Sequence, residues 1–215
     1  MYDLSYSKVW TDEIGYKSLV ALQWLRGKRN AVSVAQLLQF LFLSTRFGEG
    51  AQHIKRIEEN GEYIKVFFKE YKNPIYYPAD MDLYSLKLIA GENYTPTNWH
   101  YYENPRTKIE QDDIVCDCGA AVGTFTLSAA MQCKKVYAVE PLPKFVKALK
   151  LTFKNIKNVE IVPFAMMDKK GKMKMKFQNF GTYIGDPNGS IDIPVLIIDD
   201  YFFKKGRKIT FLKAD

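Results

Sequence analysis

The chain has 215 residues, 47% of them hydrophobic, with 14 Tyr and 14 Phe, which suits one large domain or a domain with an extension and excludes bulk disorder. Its net charge of +7 admits nucleic acid, an anionic membrane or an acidic substrate, but a plain solvated basic surface is the preferred reading. Three cysteines, Cys116, Cys118 and Cys133, exclude a disulfide framework, and with no second Cys or His pair at ligand spacing no metal is expected.

Residues 1–10 are polar and form no signal peptide. The most apolar stretch, residues 31–43, is too short to span a bilayer, so the cytoplasm is expected and no membrane partner. Residues 11–60 read as helical. Ile14, Leu19, Leu22 and Leu25 share a face that Gly27 ends, and Val34, Leu37, Leu38, Leu41 and Phe42 repeat at helical spacing. Ile54 and Ile57 suggest a further short helix stopping at Asn60-Gly61. Residues 62–69, rich in aromatic and β-branched side chains, predict a strand; Asn73-Pro74 and Tyr77-Pro78 predict turns; residues 82–90 predict a helix. An aromatic segment follows over 92–103.

From Asp112 the rhythm changes. Short apolar strands at 114–116, 135–139 and 159–164 alternate with helices at 124–131 and 142–156. That alternation implies βαβ units and a parallel sheet. Further strands are expected at 172–177, 191–198 and 209–212. The expected organisation is a helical N-terminal extension over 1–70, a connecting aromatic cap over 71–111 and a Rossmann-like domain over 112–215.

The turn after the first of these strands reads Asp117-Cys118-Gly119-Ala120-Ala121-Val122-Gly123. Ligands of open α/β sheets bind at the strands' carboxyl ends. Gly119 permits a sharp turn and close approach to a ligand, Gly123 lets the helix pack near the strand, and Asp117 can accept from a ligand ammonium or loop amides. The G-x-G-x-x-G of dinucleotide sites is absent, because Ala121 and Thr124 stand where its second and third glycines belong. Glu140 ends the next strand, where a carboxylate can accept both ribose hydroxyls of an adenosyl group.

Five stretches, DIVCDCGAAVGTFTL (113–127), AVEPLP (138–143), VPFA (162–165), IDDY (198–201) and FLKAD (211–215), resemble the FkbM family of methyltransferases. The resemblance covers residues 70–215 and implies a class I, Rossmann-like α/β fold that binds S-adenosylmethionine and methylates a hydroxyl of a sugar or other natural product. It places Asp117, Gly119, Ala120 and Gly123 at the methionine end, Glu140 on the ribose, and Phe164 and Ala165 near adenine, with Asp168 a further candidate. Asp199 and Asp200 match the family's acidic pair. Lys213 and Asp215 match the strand that points at the methyl. Family members continue beyond this Asp, so the sheet is expected to be truncated after its fourth core strand.

Methyl transfer needs alignment and, for a hydroxyl acceptor, a base; Asp215 and His100 are the candidates. Tyr94, Trp99, Tyr101 and Tyr102 form either an acceptor wall or core packing, with core preferred. Lysines 144, 147, 150, 154 and 157 read as a solvated helix face. The expected acceptor is a small molecule or carbohydrate, nucleic acid being the less favoured alternative. A non-catalytic adenosyl-binding fragment and an oligomer are left open.

Overall fold

The computed structural model describes residues 6–28, 33–42, 50–96, 98, 100–103, 107–176 and 183–214. Helix α1 (Tyr6–Leu25) ends where Gly27 takes a left-handed φ of 88°, and α2 (Val34–Phe42) follows. Three strands come next: β1 (Ile54–Asn60), β2 (Tyr63–Phe68) and β3 (Ile75–Pro78), paired antiparallel in the order β1-β2-β3. Two expectations fail here. Residues 54–60 are a strand, not a helix, and Tyr77-Pro78 closes a strand rather than making a turn. Pro78 is tolerated because β3 pairs with β2 alone, so its missing N–H faces no second neighbour.

Helix α3 (Leu83–Tyr94) starts at Asp82, whose carboxylate accepts the Ser85 N–H at 2.6 Å. Then β4 (Ile114–Cys118), α4 (Thr124–Ala130), β5 (Lys135–Val139), α5 (Pro143–Thr152) and β6 (Val159–Val162) form two consecutive βαβ units. The apolar stripe of α5 buries Phe145, Val146 and Leu149. Beyond them lie β7 (Ala165–Met167), β8 (Gly171–Lys176), β9 (Tyr183–Ile184), β10 (Ile191–Ile197), the short helix α6 (Ile198–Tyr201) and β11 (Phe211–Ala214).

Strands β11, β4, β5 and β6 form a parallel sheet in that order, flanked by helices in a Rossmann-like arrangement. The chain runs outward from β4 through β5 to β6, then returns to place β11 on the other side of β4. The strand order therefore reverses at β4, and such a switch point opens a crevice at the carboxyl ends. The strands expected near 172–177 and 191–198 do not join this sheet. They form β8 and β10 of a separate mixed sheet, ordered β7-β10-β8-β9.

One buried cluster joins the three sheets. Ile64, Val66 and Ile75 of the first, Leu149 and Phe153 over the second, and Ile193 and Val195 of the third belong to it. The lysine face of α5 is in part an interface: Lys144 pairs with Asp80 at 2.6 Å, Lys147 pairs with Glu62, and Tyr63 Oη donates to the Lys144 carbonyl at 3.0 Å. His53 ties the segment after β2 to the end of α3, with Nδ1 on Glu70 at 2.5 Å and Nε2 on Thr95 Oγ1 at 2.9 Å.

Candidate active site

The turn after β4 is shaped by three left-handed residues in five: Gly119 (φ 80°), Ala121 (φ 47°) and Gly123 (φ 89°). Glycine takes this region freely; an alanine there is strained, by on the order of 1 kcal/mol. Ala121 is the only non-glycine with positive φ among the described residues. The N–H groups of Gly119 and Ala120 both donate to the Val139 carbonyl at 3.0 Å, which fastens the turn to the end of β5.

Gly123 has a packing reason of its own. A Cβ there would lie 2.7 Å from Phe153 Cε2 and 2.8 Å from Leu149 Cδ2. Left-handed strain and overpacking then add, so Gly123→Ala is expected to lower stability by about 2–4 kcal/mol. Urea denaturation of the two proteins checks this; a loss below about 1 kcal/mol contradicts it.

Glu140, directly after β5, faces the turn. Its Oε2 accepts the Ala121 N–H at 2.9 Å and its Oε1 the Leu142 N–H at 2.8 Å. Each oxygen retains a lone pair for a further donor. Burial pushes this carboxyl up to about 7 from its ordinary 4.5, against the two backbone N–H bonds that lower it, with the neighbouring Asp117 adding to the rise.

On the other side of β4, the Lys213 ammonium of β11 donates to the Gly119 carbonyl at 3.0 Å and lies 3.0 Å from Asp117 Oδ1. Both side chains are buried, at 5% and 0% exposure. Thr126 Oγ1 donates to the other Asp117 oxygen at 2.5 Å. Tyr102 and Phe125 present their rings to the ammonium at 5.1 and 5.8 Å.

These groups meet at a cavity of about 410 Å³ at the switch point of the sheet. Gly119, Ala120, Glu140 and His100 of the expected site residues line it, together with Lys213 and Tyr102. Asp117, Gly123, Phe164 and Ala165 do not. Asp117 is instead the buried counter-ion of Lys213. Ala165 is buried in the core through β7, and Phe164 packs with Cys116 and Phe202 on another face of the sheet. Asp168 is exposed, and Asp200 of α6 pairs with Lys170 and Lys204. Asp215 and Trp99 lie outside the described residues. Tyr94 is core, its hydroxyl donating to the Thr124 carbonyl at 3.0 Å.

Several lining residues were not anticipated. Leu142 and Phe145 come from the start of α5, Met175 and Ile184 from the mixed sheet, and Glu92 and Asn93 from α3. Leu142 follows Glu140-Pro141 so closely that the sequence could have marked it. Nothing in the sequence marks Met175 or Ile184, which arrive through long-range pairing.

No family model matches the chain. A protein described as a probable ribosomal RNA small subunit methyltransferase A of Methanosphaera stadtmanae is 31% identical over 100 residues, 45% of this chain and 35% of that protein. The chain thus spans about a third of the length of that curated relative, and its similarity to a methyltransferase is a distant one. Among solved structures, Trm5b from Pyrococcus abyssi overlaps 50% of this chain and 34% of its own, at 16% identity and a TM-score of 0.31. A precorrin 8W decarboxylase from Methanobacterium thermoautotrophicum overlaps 25% of this chain and 30% of its own, at 23% identity and a TM-score of 0.23. Both overlaps are partial.

One expectation is corrected by these findings. The sequence alone favours a small-molecule or carbohydrate acceptor over nucleic acid, yet the curated relative is named for ribosomal RNA. The finer FkbM assignment has no matching model behind it. Among the described residues, no helix is long and apolar enough to cross a membrane.

Proposed function

We propose that the chain binds S-adenosylmethionine at the switch-point cavity and transfers its methyl group to a nucleic acid. The observation that carries the first half is the placement of the glycine turn and Glu140 on adjacent walls of one cavity. Its volume of about 410 Å³ falls within the range of roughly 300–1,000 Å³ usual for ligand pockets. The lining suits the ligand: a carboxylate for two ribose hydroxyls, a turn that admits close backbone approach, and Leu142, Phe145 and Met175 as an apolar wall for a flat base. The second half is supported by the name of the distant relative and by the basic balance of the chain.

S-adenosylmethionine supplies an electrophilic methyl group on a sulfonium. The protein's own residues hold and align the reactants and exclude water. Glu140 accepts the ribose hydroxyls through the lone pairs its backbone partners leave. Gly119, Ala120 and the backbone of Ala121 form the floor under the methionine end. Lys213, on the cavity wall, holds that turn through the Gly119 carbonyl and is itself held by Asp117. His100, on the cavity wall, is the group placed to take a proton from the acceptor, with Asp215 as a second candidate.

The raised Glu140 carboxyl gives this reading a pH signature. Ribose hydroxyls donate, so they favour the ionised form. Affinity for S-adenosylhomocysteine is expected to rise up to about tenfold between about pH 6 and about pH 8 as the carboxyl ionises near 7. Stability runs the other way. The folded chain holds this proton more tightly than the unfolded chain, so the group's contribution is present below 4.5 and is lost as pH rises through about 7. Calorimetric titration across this range checks the binding; a flat or falling affinity removes Glu140 from the ribose.

The reading as a whole is tested by incubating the chain with tritiated S-adenosylmethionine and RNA. Label in the RNA, lost when S-adenosylhomocysteine competes, is the expected outcome. Saturable cofactor binding with no transfer to RNA would leave the first half standing and remove the second.

A further inference from the structure

We infer that the outward face of β8 is a docking surface for the phosphate backbone of single-stranded RNA, on the reading that nucleic acid is the acceptor. Residues 169–176 contain five lysines and no carboxylate, a dense local run of positive charge.

Strand alternation sorts these residues by face. Met173 is half-buried and Met175 buried, and Met175 lines the cavity described above. Lys172, Lys174 and Lys176 are exposed on the opposite face of the same strand. Same-face residues of a strand stand about 7 Å apart, a repeat that an extended sugar–phosphate chain can follow with one phosphate per lysine. A backbone lying there is held on the strand whose opposite face contributes Met175 to the cavity.

Intramolecular neutralisation of the face is slight. Lys174 pairs with Asp192 across to β10 at 3.1 Å, but both side chains are about half exposed, where such a pair contributes little and exchanges readily. Lys172 and Lys176 make no ion pair among the described residues. Asp200 is occupied by Lys170 and Lys204. A solvent-exposed row of cations binds nucleic acid chiefly by releasing the counterions condensed on its phosphates, so its contribution is read in the salt dependence of binding.

The experiment is fluorescence anisotropy of a labelled, mixed-sequence single-stranded RNA with the full chain over a series of salt concentrations. The variant Lys172→Ala/Lys174→Ala/Lys176→Ala is expected to flatten the slope of log K against log salt by about 2, since each phosphate left without its lysine removes roughly 0.7. The control Lys150→Ala/Lys154→Ala/Lys157→Ala removes as many charges near α5 and is expected to leave the slope unchanged. Calorimetric binding of S-adenosylhomocysteine reports whether each variant is folded. If the alanine variant fails that check, the arginine series Lys172→Arg/Lys174→Arg/Lys176→Arg replaces it: a preserved slope supports the surface, a collapsed one overturns it. RNA bound with equal slopes in all variants overturns the surface but leaves the nucleic-acid reading intact. No RNA binding by the unaltered chain overturns both.

Discussion

Glu140→Ala is expected to weaken S-adenosylhomocysteine binding about 100-fold, the loss of two charge-assisted hydrogen bonds of about 1.5 kcal/mol each. The substitution also removes the acceptor that ties the Ala121 N–H to the end of β5. That N–H belongs to a residue held at φ 47°, so the turn loses the bond that offsets its strain. Glu140→Gln separates the two effects. The amide keeps one oxygen for Ala121 or Leu142 but cannot accept at both positions, so binding should fall by an intermediate factor while the turn is retained. It also removes the ionisation near pH 7, and the pH dependence of affinity should vanish with it. Calorimetry on the three proteins checks both points. Equal affinities would mean that the carboxylate is a structural acceptor for the two backbone amides and nothing more.

Lys213→Met is expected to cost about 3–5 kcal/mol of stability, because it leaves the fully buried Asp117 carboxylate with a hydroxyl as its remaining partner. For a chain of this size that lowers the melting temperature by roughly 10 °C. The ammonium also donates to the Gly119 carbonyl, so cofactor binding should weaken in parallel as the turn loosens. The double variant Asp117→Asn/Lys213→Met removes both charges and keeps a partner for Thr126. It should recover most of the lost stability, since an ion pair replaced whole costs far less than one broken. Thermal melts of the two variants decide this. A double variant no more stable than Lys213→Met would show that the pair's value lies in packing rather than charge.

The parallel sheet was legible because its signals are local. β5 occupies the predicted residues, and α5 carries an apolar stripe at helical spacing. The turn and Glu140 stood out for the same reason: each lies at the end of a short apolar run. Ile54 and Ile57 misled for a physical reason. The pairing of β1 with β2 shifts register between Ile54 and Arg56, so an extra residue puts both isoleucines towards the core. A bulged strand then carries the three-residue spacing of a helix. Asp117 borders the turn, and in the sequence that position suggests a ligand contact. Its true partner is 96 residues later in the chain, and no local pattern announces an ion pair across two strands. The same holds for the apolar wall of the cavity. The resemblance implies Phe164 and Ala165 near adenine, whereas the cavity's apolar lining includes Leu142, Phe145 and Met175. Residues 169–176 were legible as charge but not as a face, since their orientation depends on pairing with β10 and β9.

The idea beneath all of this is that one small molecule lies across the ends of β4 and β5. A crystal structure of the chain with S-adenosylhomocysteine addresses it without recourse to activity. The expected density has the ribose hydroxyls on the Glu140 carboxylate and the amino-acid end over Gly119 to Ala121, with Lys213 still on Asp117 beneath. Ligand bound elsewhere, or an empty cavity at saturating concentration with the turn still hydrogen-bonded to Glu140, would contradict it.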